Sequence, residues 1–437
     1  MSDPRLIEPL RGPFDVALRV PGSKSLTNRF YVLAALAAGS CRIRRPLRAD
    51  DTDRLLAALA TLGVEHREDG EDVLINGCGG RLPGGGHVDL GDGGTPTRFL
   101  LALATLAAGE VVIDGSPRMR ERPVDEGLAL LRELGAKIEG TRREGVERLP
   151  VRVQPGAALR GGVAQIGQTQ SSQFLSALML IGPTMAKELV LRYRTPPTSA
   201  SYLDLTLWAL RRVGVKAVAE KDRDGALAAH RVTPQSIEPF DVTVESDASS
   251  SAYFAVAAAV TPRARVRLEG ISRYSPQPDL RLLDALQSMG AIVERGDDSV
   301  TVEGGTSLRG MDVDASLFPD ASLALAAACA CAGSSSKLRG LATLAVKESD
   351  RITALATELS RIGCRCVATP DSLLIDPARR HGAAVVIETY RDHRMAMSFA
   401  VLGLARPGIS IADPACVGKS YPTFWEDFER LRGAVVS

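Results

Sequence analysis

Hydrophobic positions along the chain form a helical pattern that repeats six times. In each copy, aliphatic residues three or four positions apart lead up to a glycine, and β-branched residues follow. The glycines lie 70 to 79 residues apart, at Gly63, Gly135, Gly214, Gly290, Gly363 and Gly433. The pattern predicts an amphipathic helix, a glycine in the left-handed conformation that stops it, and then a strand.

A second series of helices is predicted between the members of the first. Its six segments are rich in alanine and apolar on almost every face, which is typical of buried helices. They are SLTNRFYVLAALAAG, TPTRFLLALATLAAG, QSSQFLSALMLIG, DASSSAYFAVAAAV, DASLALAAACACAG and DHRMAMSFAVLGLA. A short strand-like run follows each segment, so the repeating unit combines two helices with several short strands.

One such unit buries its own faces poorly, which makes three units per globule the natural grouping. We therefore predict an α/β fold of two similar globules. Residues 22–240 would form the first globule, and residues 1–21 with 241–437 the second. The chain would cross between them near residues 20–22 and 240–242, and we predict that these two linkers form a hinge.

Composition and charge exclude several classes of function. The 437 residues include 53 Lys and Arg against 52 Asp and Glu, so no global field attracts nucleic acid or an anionic membrane. Aromatic residues are only 4% of the chain, which leaves few platforms for stacking bases. The seven cysteines include no Cys-x-x-Cys pair, which favours a reducing cytoplasm and argues against a zinc site. Because we find neither an apolar leader nor a run of 18 apolar residues, we expect no export and no membrane insertion.

Positive side chains are predicted near helix amino termini, where the helix dipole disfavours them by about 0.3–1 kcal/mol each. Repetition of this unfavourable placement predicts a site for more than one anionic group, such as phosphate or carboxylate. The cations concerned are Lys24, Arg29, Arg98, Arg122, Arg351, Arg394 and Lys419.

Two carboxylates, Asp320 and Glu348, stand among these cations. One could act as a general base toward a hydroxyl, and the other could deliver a proton to carbon. A helix cap for Asp320 and a simple ion pair for Glu348 are equally consistent with the spacing.

At these positions the sequence resembles the 5-enolpyruvylshikimate-3-phosphate (EPSP) synthase family. The resemblance runs in order along the chain through PGSKSLTNR, GDGGTPTR, ERP, SSQF, FPDAS, VKESDR, YRDHRMAM and GKSYP. It implies two globules of three βαβαββ units each, an inside-out α/β barrel, with the active site in the interdomain cleft. It also implies transfer of the enolpyruvyl group of phosphoenolpyruvate to the 5-hydroxyl of shikimate 3-phosphate. That reaction releases phosphate by addition and elimination through a tetrahedral intermediate, in aromatic amino acid biosynthesis, without metal or cofactor.

The resemblance assigns roles residue by residue. Asp320 would be the base, Glu348 the acid, and Lys24 would touch both substrates. Shikimate 3-phosphate would be bound by Lys24, Ser25, Arg29, Ser171, Ser172, Gln173, Ser199, Tyr202, Asp320, Thr343 and Lys347. Phosphoenolpyruvate would be bound by Lys24, Gly94, Thr95, Arg98, Arg122, Gln173, Arg351, His393, Arg394 and Lys419.

Some residues depart from the family pattern. Asp92 stands where the family often has Asn, and Phe99 where many members have Pro. Thr343 stands where some members have an Asn that contacts the shikimate phosphate. Glyphosate is an inhibitor that mimics the donor phosphoenolpyruvate. Because of these departures, the sequence does not predict whether glyphosate inhibits this protein. For Gly94, a turn with positive φ is an alternative to close approach of a ligand.

Two other functions remain as alternatives. One is the sister enzyme, UDP-N-acetylglucosamine enolpyruvyl transferase, whose loop carries a reactive cysteine that residues 91–98 lack. The other is a non-catalytic phosphosugar-binding protein, which would not need Asp320 and Glu348. In every case we expect a cytoplasmic monomer that acts on small molecules, with no nucleic acid or membrane partner.

Overall fold

A computed structural model describes residues 3–156, 159–378 and 383–436, and the chain divides into two compact units. The first unit comprises residues 22–244, and the second comprises residues 1–21 with 245–437. The division falls after Val244 rather than after Phe240. The reason is that Asp241–Thr243 forms a strand parallel to Ser40–Arg44, inside the first unit.

Both predicted series of helices are confirmed, and they are numbered here in chain order together with the short helix α4, which belongs to neither series. In the first unit they are α1 (Lys24–Leu36), α2 (Asp50–Thr61), α3 (Gly94–Leu103), α4 (Pro117–Glu121), α5 (Asp125–Glu133), α6 (Ser172–Ile181) and α7 (Ala200–Arg212). In the second unit they are α8 (Ala248–Val260), α9 (Arg281–Met289), α10 (Ser322–Ala330), α11 (Arg351–Arg361), α12 (His393–Ala405) and α13 (Phe424–Gly433).

The strands are short and follow the helices at regular intervals. The amino-terminal segment of the second unit contributes β1 (Arg5–Ile7) and β2 (Asp15–Leu18). The first unit contains β3 (Ser40–Arg44), β4 (His66–Asp69), β5 (Asp72–Asn76), β6 (Gly86–Asp89), β7 (Val111–Asp114), β8 (Ile138–Arg143), β9 (Val146–Val153), β10 (Gly162–Ile166), β11 (Leu189–Tyr193), β12 (Ala217–Lys221), β13 (Leu227–Val232) and β14 (Asp241–Thr243). The rest of the second unit contains β15 (Arg265–Glu269), β16 (Ile292–Arg295), β17 (Ser299–Glu303), β18 (Asp312–Asp314), β19 (Ser336–Arg339), β20 (Arg365–Thr369), β21 (Ser372–Asp376), β22 (Val385–Ile387) and β23 (Ile409–Ile411).

Each repeat forms a small mixed sheet with one parallel pair. Three of the sheets consist of four strands that follow one another in sequence. Their strand orders are β6-β7-β9-β8, β10-β11-β13-β12 and β18-β19-β21-β20. The first pair of strands is parallel because a buried helix connects them, and a hairpin supplies the other two. This is the βαβαββ unit that the sequence resemblance implied.

Each of the remaining sheets includes one strand from a segment of the same unit that is distant in sequence. The order β14-β3-β5-β4 is completed by the strand that ends the first unit, and the order β16-β17-β15-β2 is completed from the amino terminus. The last repeat has no hairpin of its own, and β1 pairs antiparallel with β23 in its place. The two ends of each unit are therefore tied together by backbone hydrogen bonds.

The alanine-rich helices lie in the hydrophobic core of their unit, and the sheets lie around them. In α1, α8 and α12 nearly every residue is buried, whereas strands such as β5 alternate between buried and more exposed positions. Helix α3 packs against α6, and α10 packs against α12. Each unit has its own buried core, and the predicted α/β class is confirmed.

Corresponding glycines in the two units show how closely these layers approach. A Cβ on Gly77 would lie 2.2 Å from the Ala37 carbonyl oxygen, at the end of α1. A Cβ on Gly304 would lie 2.2 Å from the Thr261 carbonyl oxygen, at the end of α8. Only glycine fits at either position, because backbone rather than a movable side chain fills the space.

Five of the six helix-ending glycines have the predicted left-handed conformation, with φ between 82° and 118°. The prediction is wrong for Gly433, which is the last residue of α13 and has no positive φ. The segment beyond it makes a single bridge, from Val435 to Phe14, instead of a strand. The final helix therefore needs no sharp turn into a hairpin, and no left-handed residue at its end.

Two substitutions test this distinction. A Cβ at Gly214 or at Gly433 would meet no atom within 4 Å, so packing is not a factor at either site. Gly214→Ala places a side chain at φ 82° and is expected to lower the free energy of unfolding by about 1 kcal/mol. Gly433→Ala is expected to leave it unchanged or raise it by up to about 1 kcal/mol. Urea unfolding measures both, and a loss of stability in both variants would contradict the assignment.

The described ranges contain no helix that is both long enough and apolar enough to cross a membrane.

Candidate active site

Lys24 is the first residue of α1 and forms an ion pair within the first unit. Its Nζ lies 3.1 Å from Oδ2 of Asp51, a buried carboxylate in the first turn of α2. The sequence analysis missed Asp51, because acidic residues are ordinary in the first turn of a helix. Lys24 is thus held at the start of α1 by a charge that the next helix supplies.

Arg29 is buried and joins three helices through neutral oxygen atoms. Its Nε donates to Thr206 Oγ1 at 2.9 Å, and its Nη2 donates to the Tyr202 carbonyl at 3.0 Å, both in α7. Its Nη2 also lies 3.4 Å from Ser176 Oγ in α6, and its Nη1 donates to the Ser25 carbonyl at 2.8 Å. Burial lowers the pKa of Arg29 to about 10, so the guanidinium stays charged at neutral pH.

Thr206 and Ser176 were missed by the sequence analysis. Both are fully buried on helices whose other inward residues are mostly apolar. A hydroxyl on the apolar face of a predicted helix was the available signal, because a buried hydroxyl requires a hydrogen-bond partner.

The starts of α3 and α6 are joined by a side-chain hydrogen bond. Gln173 Nε2 donates to Thr95 Oγ1 at 3.0 Å. Ser171 caps α6, since its Oγ accepts from the Gln173 backbone N–H at 3.2 Å, and Ser172 is the first helical residue. The structure therefore brings the GGTPTR and SSQF motifs together.

Gly94 is the first residue of α3 and does not have a positive φ, which rules out the turn alternative. An added Cβ would lie 2.7 Å from Nη1 of the buried Arg122. Arg98 Nη1 lies 3.3 Å from the Gly94 carbonyl oxygen. The absent side chain thus leaves room for the Arg122 guanidinium beside the start of the helix.

Asp92 has a structural partner. Its Oδ1 accepts a hydrogen bond from Ser116 Oγ, and Ser116 caps α4. This departure from the family pattern therefore links the loop before α3 to the helix that ends next to Arg122.

Ser199 and Tyr202 lie at the start of α7. Ser199 has φ 51° and makes no side-chain capping bond, although its carbonyl accepts from the Tyr202 N–H at 3.0 Å. A left-handed conformation at a residue other than glycine is uncommon and is typical of functional sites.

Arg351 is the centre of a charged cluster in the second unit and is almost completely buried. Its Nε donates to Asp392 Oδ2 at 2.7 Å, and its Nη2 lies 2.9 Å from Glu348 Oε2. Its Nη1 donates to Asp320 Oδ1 at 3.2 Å. Burial alone would lower the pKa of Arg351, but the three carboxylates raise it above its ordinary value.

Asp320 contacts two further cations. Arg394 Nη2 donates to its Oδ2 at 3.1 Å, and Lys347 Nζ lies 3.6 Å from its Oδ1. The cap position of α10 is occupied by Ala321 and not by Asp320, as the helix-cap alternative would have it. Asp320 instead connects the cations of three segments.

Glu348 makes the ion pairs that one alternative predicted. Besides Arg351, it contacts Lys419, whose Nζ lies 3.5 Å from Glu348 Oε1. Thr343 lies on a 3-10 turn, Ala342–Val346, shortly before Lys347.

The start of α12 presents three successive polar residues. Asp392 caps the helix through a hydrogen bond from the Arg394 N–H to its Oδ1, at 2.9 Å. His393 is fully buried, with Nδ1 3.8 Å from Asp392 Oδ1, and Arg394 Nη1 lies 3.5 Å from Tyr253 Oη. Asp392 lies within the YRDHRMAM motif, but the sequence analysis gave it no role, and its partner Arg351 is 41 residues away.

Asp279 is a second buried carboxyl that the sequence analysis missed. It lies on the 3-10 turn Pro278–Leu280, and its Oδ2 accepts a hydrogen bond from Ser249 Oγ in α8. Burial and then the nearby charge of Asp320 raise the pKa of Asp279 above its ordinary value, while Arg394 opposes the shift.

The predicted placement of all seven cations within about one turn of a helix start is wrong in part. Lys24 and Arg351 are first residues of their helices and Arg394 is a second residue. Arg29 lies in the second turn of α1, and Lys419 ends a 3-10 turn well before α13. For these two, ion pairs and hydrogen bonds rather than the helix dipole determine the surroundings.

Solved structures that share the fold of these repeated α/β units are an EPSP synthase and an enolpyruvyl transferase. The enolpyruvyl transferase NikO from Streptomyces tendae shares the fold, with a TM-score of 0.77 over 99% of this chain and 98% of that chain at 19% identity. An EPSP synthase from Acinetobacter baumannii superposes with a TM-score of 0.81 and 28% identity over 98% of each chain.

Sequence comparison identifies the family. The family model for EPSP synthase (3-phosphoshikimate 1-carboxyvinyltransferase) matches residues 10–428. A 3-phosphoshikimate 1-carboxyvinyltransferase of Methanoculleus marisnigri is 42% identical over 95% of this chain and 96% of that protein. One of Paraburkholderia phymatum is 38% identical over 96% of this chain and 98% of that protein. The chain belongs to the EPSP synthase family and is a transferase.

The buried pair of Arg351 and Asp392 gives a stability prediction. Asp392→Asn keeps the size of the side chain but removes the charge, and we expect the free energy of unfolding to fall by about 3 kcal/mol. Asp312→Asn is the control, because its pair with Arg339 at 2.6 Å is about half exposed, and it should cost less than about 1 kcal/mol. Equal losses in urea unfolding would show that burial of the pair has no energetic consequence.

Proposed function

We propose that this chain transfers the enolpyruvyl group of phosphoenolpyruvate to the 5-hydroxyl of shikimate 3-phosphate and releases phosphate. The observation that carries the proposal is the pair of carboxylates, Asp320 and Glu348, each held among cations around Arg351. Membership of the EPSP synthase family supports it.

Asp320 and Glu348 divide the acid–base work between them. Glu348, in its protonated form, gives a proton to the methylene carbon of phosphoenolpyruvate, which makes C2 electrophilic. The 5-hydroxyl oxygen attacks C2 while Asp320 accepts its proton, and a tetrahedral intermediate forms. The bond from C2 to the phosphate oxygen then breaks, and phosphate leaves with the electron pair and takes up the proton that Asp320 had accepted, which restores the carboxylate. A proton returns from the methyl group to Glu348 and restores the double bond.

The cations bind the anionic groups of both substrates. A phosphoenolpyruvate anion held by Arg351 and Lys419 competes with Glu348 for these two cations and frees its carboxyl group for proton transfer. Further phosphoenolpyruvate contacts come from Lys24, Gly94, Thr95, Arg98, Arg122, Gln173, His393 and Arg394.

Shikimate 3-phosphate binds beside the neutral hydrogen-bonding network around Arg29 in the first unit. Arg29 is buried among neutral oxygens, so a phosphate nearby would balance its charge. Its other contacts are Lys24, Ser25, Ser171, Ser172, Gln173, Ser199, Tyr202, Asp320, Thr343 and Lys347. Holding both reactants in place can supply about 7–11 kcal/mol of the barrier reduction.

The two alternative functions have less support from the sequence and the site. Residues 91–98 have no cysteine to serve as the reactive thiol of the UDP-N-acetylglucosamine enzyme. A binding protein without catalysis would not require Asp320 and Glu348 among the cations. We further propose that the enzyme works as a cytoplasmic monomer on small molecules, with no nucleic acid or membrane partner, consistent with its net charge of +1.

The direct test is phosphate release from phosphoenolpyruvate in the presence of shikimate 3-phosphate, with UDP-N-acetylglucosamine as the competing acceptor. We expect release with the first acceptor alone. Release with the sugar nucleotide alone would replace this function by its alternative.

Removal of either proton-transfer group should slow turnover. We expect Asp320→Asn and Glu348→Gln each to lower kcat by roughly a hundredfold or more, the scale of a positioned acid or base. Circular dichroism checks that both variants fold, and Asp312→Asn serves as the matched control. Normal substrate binding with kcat within a factor of two of wild type in both variants would refute the assignment.

Gly94→Ala tests the space beside Arg122. Because the position is helical, the backbone tolerates alanine, but the new Cβ must displace the guanidinium 2.7 Å away. We expect a severalfold weaker affinity for phosphoenolpyruvate and glyphosate, with thermal stability and shikimate 3-phosphate affinity nearly unchanged. A lower melting temperature with equal losses for all three ligands would contradict this explanation.

A further inference from the structure

Two consecutive residues before α12 have left-handed backbones although neither is glycine. Tyr390 has φ 54° and Arg391 has φ 56°. Such a pair costs conformational free energy and persists only where other contacts hold it. The strained pair leads directly into Asp392, His393 and Arg394, so its geometry determines where the start of α12 lies.

Tyr390 and Arg391 are the central residues of a turn in which the Asp392 N–H donates to the Thr389 carbonyl at 2.8 Å. Further contacts to this turn come from Glu358, a buried residue of α11. Its Oε1 accepts from Tyr390 Oη at 3.0 Å, and its Oε2 accepts from the Glu388 backbone N–H at 3.2 Å. Arg361 Nη1 donates to the same Oε2 at 2.6 Å, which keeps the carboxylate charge balanced and its orientation constant. The family resemblance gave no role to Glu358.

Helix α11 holds the segment of residues 388–392 at two points. Arg351 and Glu358 are seven residues apart, two turns along the same face of the helix. Arg351 binds the Asp392 carboxylate at the end of the segment, and Glu358 binds the segment two to four residues earlier. With both points held, the intervening left-handed residues have little freedom to relax.

Displacement of this segment would move Arg394. The Asp392 carboxylate accepts from the Arg394 backbone N–H, and the Arg394 guanidinium contacts Asp320 Oδ2 at 3.1 Å. A path of direct contacts therefore runs from Glu358 through the strained pair to the proposed base and to a proposed phosphoenolpyruvate ligand.

We propose that Glu358 is a positioning residue for the transfer reaction, because it maintains the left-handed conformation of Tyr390 and Arg391 that aims Arg394 at Asp320. This inference rests on the proposed function. Glu358 touches no reacting atom and acts only through the segment that it holds.

The test compares Glu358→Ala with Glu147→Ala. Glu147 is a matched control in the first unit, since it is also buried and accepts from an arginine and a backbone N–H, those of Arg132 and Gly140. Both variants should lose stability. Assayed well below their melting temperatures, Glu358→Ala should show kcat/KM for phosphoenolpyruvate lowered roughly tenfold, with shikimate 3-phosphate affinity within twofold of wild type. Glu147→Ala should keep both kcat/KM for phosphoenolpyruvate and the affinity for shikimate 3-phosphate within twofold of wild type.

A second substitution separates positioning from general destabilisation. Asparagine tolerates the left-handed region better than arginine does, and Arg391 is exposed, so Arg391→Asn relieves strain without disturbing packing. Added to Glu358→Ala, it should raise kcat/KM at least threefold above that of the single variant. In the wild-type background it should change kcat/KM little. Hydrogen exchange should be faster at residues 388–394 in Glu358→Ala and return toward wild type in the double variant.

The outcomes separate the two levels of the proposal. If wild type releases no phosphate from the substrate pair, the proposed function is refuted, and this inference with it. If wild type is active but Glu358→Ala behaves like Glu147→Ala, or Arg391→Asn restores nothing, only the positioning role is refuted.

Discussion

Close packing of alanine-rich helices is the constraint on which the rest of each unit depends. Helix α3 packs against α6, and α10, which is mostly alanine, packs against α12, so that these helices fill the interior and the sheets cover them. The first backbone N–H groups of a helix have no partner within the helix, and in four of the six alanine-rich helices a side chain accepts from one of them. Ser23, Ser171, Asp247 and Asp392 meet that need in α1, α6, α8 and α12. The polar residues used for chemistry are thus concentrated where the fold already requires polar groups.

The two units differ in the groups that surround their buried arginines. Arg29 in the first unit is held by neutral oxygens, so its positive charge remains available to an anion. Arg351 in the second unit binds three carboxylates, which gives a dense set of groups able to hold or exchange protons. The first arrangement suits phosphate binding, and the second suits acid–base chemistry. This difference could not be inferred from residue types, since both residues are buried arginines.

Chain connectivity adds stability where the repeats are incomplete. The strands β14 and β2 complete sheets whose other strands lie far away in sequence, and β1 replaces the hairpin that the last repeat lacks. Each unit is thereby closed by strands from both of its ends. Parallel pairing requires such distant partners, because a tight turn cannot connect parallel strands.

The sequence by itself determined the period, both series of helices, the α/β class and the glycines that end five of the amphipathic helices. These features depend on local periodicity and on backbone preferences that each segment carries with it. Family motifs also identified the charged groups. Only the tertiary structure decided that Gly433 stays helical, that Asp241–Thr243 belongs to the first unit, and that Ala321 rather than Asp320 holds the cap position of α10. It also decided the partners of each charge, such as Thr206 for Arg29, which lies 177 residues away. Such pairs form only when packing brings distant segments together, and nothing in either local sequence specifies the other.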